Sequence, residues 1–265
     1  MSTSLSPILT KFVAIAADAG KVILSHYEMG TTARRKADQS PVTAADEEAE
    51  ALIVGRLKTA FPNVPIVAEE AVARGEAVSI GDTFILVDPL DGTKEFLARN
   101  GEFTVNIAQI EGTVPVCGVV LAPALGRGFA GDVATKTAIA FDLSPDGSAN
   151  LDSAKKIEAR KAPDDGVIAM VSRTHRDIKT EEYLTQYAIK EMRAAGSSLK
   201  FCLLAAGEAD FYPRHGRTME WDVAAGHAVL AAAGGTVTQL DGSAFFYGKS
   251  AQRFANPYFL ARGKV

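Results

Sequence analysis

Between residues 64 and 132 the chain passes through five β-type apolar stretches, at 64–68, 84–87, 103–110, 114–122 and 129–132, with no regular helix alternating between them. Glu111-Gly112, between the third and fourth, reads as a hairpin turn. A doubly wound parallel sheet requires a helix after each strand, so this run argues against one. Mostly antiparallel or mixed sheet, layered with helices, is the expected fold class: α/β in the broad sense, α+β in organisation.

Helical patterns flank the strands in pairs. Ser6-Pro7 suits an N-cap with proline at the first helical position, and Ile8, Phe12, Ile15, Ala19, Val22 and Tyr27 then recur at helical spacing. Residues 34–41 are polar and predict a loop. A second helix is predicted from Thr43 through Leu57, ending before Pro62. Further on, a strand at 167–171 precedes helices at 180–189, 199–208 and 223–233, and Gly234-Gly235 supplies the left-handed stop for the last. Strands at 236–240 and 258–261 finish the chain. The turn-forming cluster at 144–150 is the expected boundary between an N-terminal half, 1–143, and a C-terminal half, 151–265.

Composition narrows the partners. A formal net charge of −4 over 265 residues gives no general attraction for a nucleic acid polymer or an anionic membrane. Lys11, Asp18 and Lys21 interrupt the first apolar residues, which argues against a signal peptide, and the longest apolar stretch, 223–233, contains His227 and is too short to span a bilayer. A cytoplasmic location is expected, with peripheral association at the inner membrane face left open, as is the choice between monomer and homodimer. Cys117 and Cys202 have no metal-ligand spacing and read as small core residues in a reducing compartment. An anion could be bound only through local cations or bound metal.

The segment 84–96, FILVDPLDGTKEF, carries the most chemistry. An apolar strand runs into Asp88, and Pro89 stops the chain from continuing the ladder. Asp88 and Asp91, three apart across a turn, can converge on one point. Gly92 allows close backbone approach, and the amides of Gly92 and Thr93 fall where a helix would begin, a natural phosphate cradle. Turn chemistry alone explains Asp-Pro or Asp-Gly singly. It does not readily explain two carboxylates, a glycine and a hydroxyl stacked at one strand end. Glu69 and Glu70 close another strand; alone they read as solvated surface acids. Thr43 and Asp46 have capping-box spacing, and Asp222, after the single tryptophan Trp221, could simply complement a helix dipole.

Taken together, VTAAD at 42–46, EE at 69–70, DPLDGT at 88–93 and WDVAAG at 221–226 resemble the motif set of the lithium-sensitive, metal-dependent phosphatases of the inositol monophosphatase superfamily, in order and across almost the whole chain. DGTKEF at 91–96, RNGEFTVNIA at 99–108, GSSLKFC at 196–202 and YPR at 212–214 are more narrowly similar to the bacterial 3′(2′),5′-bisphosphate nucleotidases. The resemblance implies a layered α-β-α-β-α sandwich. It implies metal ligands at Glu69, Asp88, the Leu90 carbonyl, Asp91 and Asp222, with Glu70 helping a further, weaker metal. Asp46 and Thr93 would orient and deprotonate water. Gly92, Thr93 and Lys94, with Asp222 beside them, would meet the phosphate, and His175, Ser197, Lys200 and Arg214 would lie around a nucleotide. The SRTH match at 172–175 is the loosest. Two or three magnesium ions are expected, with lithium and calcium inhibitory.

Six converging carboxylates without a cation would repel one another strongly, and oxygen-only ligands suit a hard ion such as magnesium. The expected activity is magnesium-dependent removal of the 3′-phosphate from adenosine 3′,5′-bisphosphate, and from 3′-phosphoadenylyl sulfate as a further candidate. Inositol monophosphatase or fructose bisphosphatase activity, or nucleotide binding without catalysis, are the alternatives. The aspartyl-phosphate chemistry of haloacid dehalogenases needs Asp-x-Asp-x-Thr, which the three-residue step from Asp88 to Asp91 does not provide. Dinucleotide and P-loop motifs are absent from the sequence.

Overall fold

The computed structural model describes residues 5–30, 32–36, 41–173 and 178–264. In chain order the elements are α1 (Pro7–Met29), β1 (Arg34–Arg35), β2 (Pro41–Val42), α2 (Ala44–Ala60), β3 (Ile66–Ala68), α3 (Glu69–Ala73), β4 (Thr83–Asp91), α4 (Thr93–Leu97), β5 (Thr104–Glu111), β6 (Val114–Ala122), β7 (Arg127–Asp132), β8 (Thr137–Leu143) and β9 (Ala149–Lys156). They continue as β10 (Val167–Ser172), α5 (Ile178–Leu184), β11 (Ile189–Ala195), α6 (Leu199–Ala205), β12 (Phe211–Arg214), α7 (Glu220–Ala232), β13 (Thr236–Gln239) and β14 (Phe259–Arg262).

Strands β3 to β9 form a seven-stranded sheet in sequence order, antiparallel except for the parallel β3–β4 pair. A second, five-stranded sheet is mixed, in the order β11-β10-β12-β14-β13. Alternation along β4 shows how the layers arise. Ile85 and Val87 enter the core beneath α1 and α2, whereas Phe84 and Leu86 enter the core shared with α6 and α7. That period of two buries both faces of the sheet. The same α6–α7 layer packs on the second sheet, whose far face meets Leu184 of α5. The order is therefore α-β-α-β-α, as the resemblance implied.

Helix α7 lies close on the first sheet because glycines face it. A Cβ at Gly118 would stand 2.9 Å from the Ala225 Cα, and one at Gly131 would stand 2.6 Å from the Val229 Cα. Helix α7 ends with Gly234 at φ +92° and the Gly235 amide on the Leu230 carbonyl, the predicted stop.

Several elements differ from the sequence reading. The helix predicted at 180–189 ends at Leu184, and the chain then forms β11, an exposed strand whose Lys190, Glu191 and Met192 carry no apolar alternation. Strands β8, β9 and β12 and the five-residue helix α3 were not anticipated, and β1 and the start of β2 fall in the stretch 34–41 read as a loop, whereas α4 begins at Thr93, where a helix start was expected. The segment 144–150 forms the turn of the β8–β9 hairpin, so the first sheet continues to Lys156. Cys117 and Cys202 are buried and unpaired, and burial pushes the Cys117 thiol up to about 12. No helix among the described residues is long and apolar enough to cross a membrane.

Candidate active site

Three carboxylates set the centre of the site. Glu69, Asp88 and Asp222 each offer an oxygen within 4.8 Å of the other two. They arrive from different elements, and local backbone geometry fixes each one. Asp88 ends the regular part of β4, where it pairs with Asn106; the register then shifts and pairing resumes at Asp91 with Thr104. Pro89 thus disrupts the ladder as expected, but the strand regains its partner instead of leaving it. The Leu90 amide donates to Asp88 Oδ1 at 3.1 Å. Glu69 opens α3 directly from β3. Asp222 stands in the first turn of α7 and accepts the Met219 amide at 2.7 Å.

These acids are strained electrostatically. Burial, and then the neighbouring charges of Glu69, Asp91 and Asp222, push the Asp88 carboxyl well above its usual range. Burial, Asp91 and Glu69 do the same to Asp222. Burial, reinforced by Glu69, lifts Glu70 to about 7. One cation already answers part of this charge: Lys36 Nζ lies 2.6 Å from both Glu69 Oε1 and Glu70 Oε1. Burial would lower the Lys36 pKa, but attraction to the two glutamates outweighs it. Crowded oxygen donors, three of them mutually within reach of one ion, fit a hard divalent metal.

Beside the cluster, Asp46 and Thr93 meet across the α2 and α4 starts. Thr93 Oγ1 donates to Asp46 Oδ1 at 3.2 Å, while Asp46 Oδ2 accepts the Thr43 amide at 2.8 Å and the Thr43 hydroxyl at 2.7 Å. The capping box therefore holds the same carboxylate that reaches Thr93. Burial raises the Asp46 pKa against these hydrogen bonds. Gly92, at φ +92°, makes the turn into α4, and a Cβ there would crowd Glu95, Ser197 and the Glu102 carbonyl at 3.3–3.4 Å. That conformation admits glycine alone without strain.

A cavity of about 420 Å³ joins these parts to the second sheet. Glu69, Asp88, Leu90, Asp91, Gly92, Thr93 and Lys94 line it from the first half, and Ser197, Lys200, Arg214 and Asp222 from the second. Lys200 is 3% exposed; its ammonium donates to the Ala195 and Ser197 carbonyls at 3.0 and 2.6 Å and stands over the Tyr212 ring. Burial, followed by Arg214, lowers its pKa to about 8. Asp46 and Glu70 do not line the cavity; they stand behind Thr93 and Lys36 respectively. His175 lies outside the described residues.

Sequence reasoning did not single out Lys36, Ser198, Asn106, Tyr212 or Arg217. Tyr212 and Arg217 line the cavity, and Ser198 and Asn106 contact Asp91. All but Lys36 and Arg217 fall inside quoted motif segments, so a signal was present for them. Lys36 sits in a polar stretch read as a loop, where nothing distinguishes it from a surface lysine.

The description of the inositol monophosphatase family matches residues 4–263. The chain belongs to the inositol monophosphatase family. Within this family, it is 41% identical to a 3′(2′),5′-bisphosphate nucleotidase, CysQ, of Escherichia coli K12 over 95% of this chain and 98% of that one. It is 38% identical to the protein of the same name from Buchnera aphidicola over 96% and 93% of the two chains. The crystal structure of CysQ from Bacteroides thetaiotaomicron superposes with a TM-score of 0.79 at 37% identity, covering 97% of each chain. An inositol monophosphatase-family structure from Thermotoga maritima, 23% identical, shares the fold with a TM-score of 0.76 over 97% of this chain and 92% of that one.

Proposed function

We propose that this chain is a magnesium-dependent 3′(2′),5′-bisphosphate nucleotidase that converts adenosine 3′,5′-bisphosphate to AMP and phosphate in the cytoplasm. One observation carries the reading: a single cavity sets three clustered carboxylates against two buried cations, Lys200 and Arg214. The acids suit phosphate-ester chemistry, and the cations suit a second anionic group on the same substrate. Near-full-length similarity to nucleotidases from several bacteria supports the same substrate class.

Glu69, Asp88, Asp91, Asp222 and the Leu90 carbonyl would hold the metal, with Glu70 assisting a weaker ion; two or three ions are expected. Magnesium bound there neutralises phosphate oxygens and acidifies nearby water. Thr93 and Asp46 handle the proton. Water attacks phosphorus and gives its proton to the Thr93 oxygen while the Thr93 proton passes to Asp46 Oδ1, along the 3.2 Å hydrogen bond. The bond from phosphorus to the 3′-oxygen breaks, and that oxygen takes a proton from solvent. The Gly92 and Thr93 amides and Lys94 hold the phosphate. Ser197, Lys200 and Arg214 surround the rest of the nucleotide. Lys200 has three protons; two are committed to carbonyls, which leaves one for an anion in the cavity.

A binder without turnover has no use for the Asp46–Thr93 pair. The test is phosphate release from adenosine 3′,5′-bisphosphate, 3′-phosphoadenylyl sulfate, inositol monophosphate and fructose 1,6-bisphosphate, with and without magnesium, lithium and calcium. Magnesium-dependent release that is most efficient with the adenosine bisphosphate is expected, with lithium and calcium inhibiting. Higher efficiency with inositol phosphate would replace the substrate assignment, and no release from any of them would replace the enzyme.

A further inference from the structure

We propose that Ser198 is a positioning residue for Asp91, set in place by a directed hydrogen-bond chain that begins at Ser197 on the cavity wall. This inference rests on the metal reading of the acid cluster and not on the choice of nucleotide. Ser198 is 1% exposed and precedes α6. Its Oγ lies 2.8 Å from each of three atoms: Asp91 Oδ2, the Asp222 backbone oxygen and Asn106 Nδ2. One hydroxyl therefore ties an acid on β4 to the first turn of α7.

The donor directions follow from the inventory of protons. The Asn106 Nδ2 group can only donate, so Ser198 accepts there. Asn106 Nδ2 also lies 3.5 Å from Asp91 Oδ2, which fixes the amide with its nitrogen toward the carboxylate. Asn106 Oδ1 then accepts the Thr104 hydroxyl at 3.1 Å. Thr104 has no second proton, so Ser197 is the donor in the 2.7 Å contact between their hydroxyls. Donors thus run from Ser197 to Thr104 to Asn106 to Ser198. The single Ser198 proton is shared between Asp91 and the Asp222 carbonyl, and the carboxylate is the stronger acceptor.

Thr104, Asn106 and Ser198 are at most 1% exposed, so water does not replace a lost member. Each bond in such a chain polarises the next. Thr104 and Asn106 lie on the same face of β5, two residues apart, and Ser197-Ser198 comes from the turn before α6. The chain bridges the two halves of the protein behind the acids. Its effect is to hold Asp91 in one rotamer through the bond from Ser198 to Oδ2, which on the metal reading would set the carboxylate toward the cation. Ser197, at φ +53°, is in the left-handed region, a strained conformation that persists because its surroundings hold it.

The test is a magnesium titration followed by thermal unfolding without substrate, against sodium at equal ionic strength. Partners that orient metal ligands typically change metal affinity by about 10–100-fold. Ser198→Ala should raise the half-saturating magnesium concentration about tenfold. Thr104→Val, which keeps shape and removes a hydroxyl remote from the metal, should raise it by a few-fold, and Thr104→Ser should restore the parent value. A purely structural role would lower the metal-free melting temperature and leave the half-saturating concentration alone, which overturns the proposal. If Ser198→Ala does not fold, Thr104→Val decides alone: parent-like magnesium response is the contrary result. A parent with no magnesium-specific shift would sink the metal reading itself and this inference with it.

Discussion

The acids and the cations of the site are placed by different elements, the acids by α2, α3, β4 and α7 and the cations by α6 and β12. Asp88 and Asp222 in the cavity, and Asp46 behind Thr93, each accept a backbone amide from a residue two or three positions away, Leu90, Met219 and Thr43, whereas Glu69 is met by Lys36 and Asp91 by Ser198. The first three are oriented by the local turn that also starts a helix or ends a strand. Lys200 and Arg214 reach the same cavity from α6 and β12 of the other half, with Lys200 held in turn by the Ala195 and Ser197 carbonyls. The difference teaches a division of labour. Under the proposed function, the acids would serve any phosphate ester, whereas the cations would select what is attached to it.

The largest test of this division is on the acidic side. Asp91→Asn should abolish turnover on every substrate alike and remove the magnesium-specific rise in melting temperature. At magnesium 100 times its dissociation constant, that rise corresponds to about 2.7 kcal/mol. An Asp91→Asn protein that still turns over inositol phosphate would break the claim that the acids serve all esters. Thr93→Ala should lower kcat by roughly 10²-fold on all substrates with little change in KM, as expected of a proton relay. A change in KM alone would remove Thr93 from the chemical step.

A smaller effect sharpens the basic side. Lys200 titrates near 8, below the usual lysine value, because burial disfavours its charged form. As pH rises through that value the free protein loses the ammonium, and a neutral amine has no proton left after serving the Ala195 and Ser197 carbonyls. Since kcat/KM reports the free enzyme, its value for adenosine 3′,5′-bisphosphate should fall above that pH by at most about tenfold per unit. Inositol phosphate should show no such break, and Lys200→Met should remove it. A break common to both substrates would assign the titration to the acidic wall instead.

The two walls were also unequally legible in the sequence. DPLDGT and VTAAD place several functional groups within six residues, because one turn both bends the chain and aims the side chains. Their chemistry is local and therefore readable. Long strands β4 to β6 were readable for the same reason, since apolar residues on both faces leave an unbroken run. Lys36 was not, because its role exists only where β1 and α3 come together and Glu69 and Glu70 face it. Ser198 lay inside a quoted motif, yet its partners Asp91 and Asn106 are 107 and 92 residues away. Strand β11 shows the limit for the fold: with Lys190, Glu191 and Met192 exposed in succession, it is held by pairing to β10 and not by an alternation of its own.

The division of labour is tested most directly by one ratio, that of kcat/KM for adenosine 3′,5′-bisphosphate to kcat/KM for inositol monophosphate, measured on the parent and on Arg214→Ala at one ionic strength. Arg214 is 8% exposed and lines the cavity from the second sheet. Loss of a charged contact costs about 1.5–3 kcal/mol, so the ratio should fall roughly ten- to a hundredfold while inositol phosphate cleavage stays nearly constant. Arg214→Lys should recover only part of it, because an ammonium lacks the bidentate fork. An unchanged ratio in Arg214→Ala would contradict the account and leave the basic wall without a part in selecting the substrate.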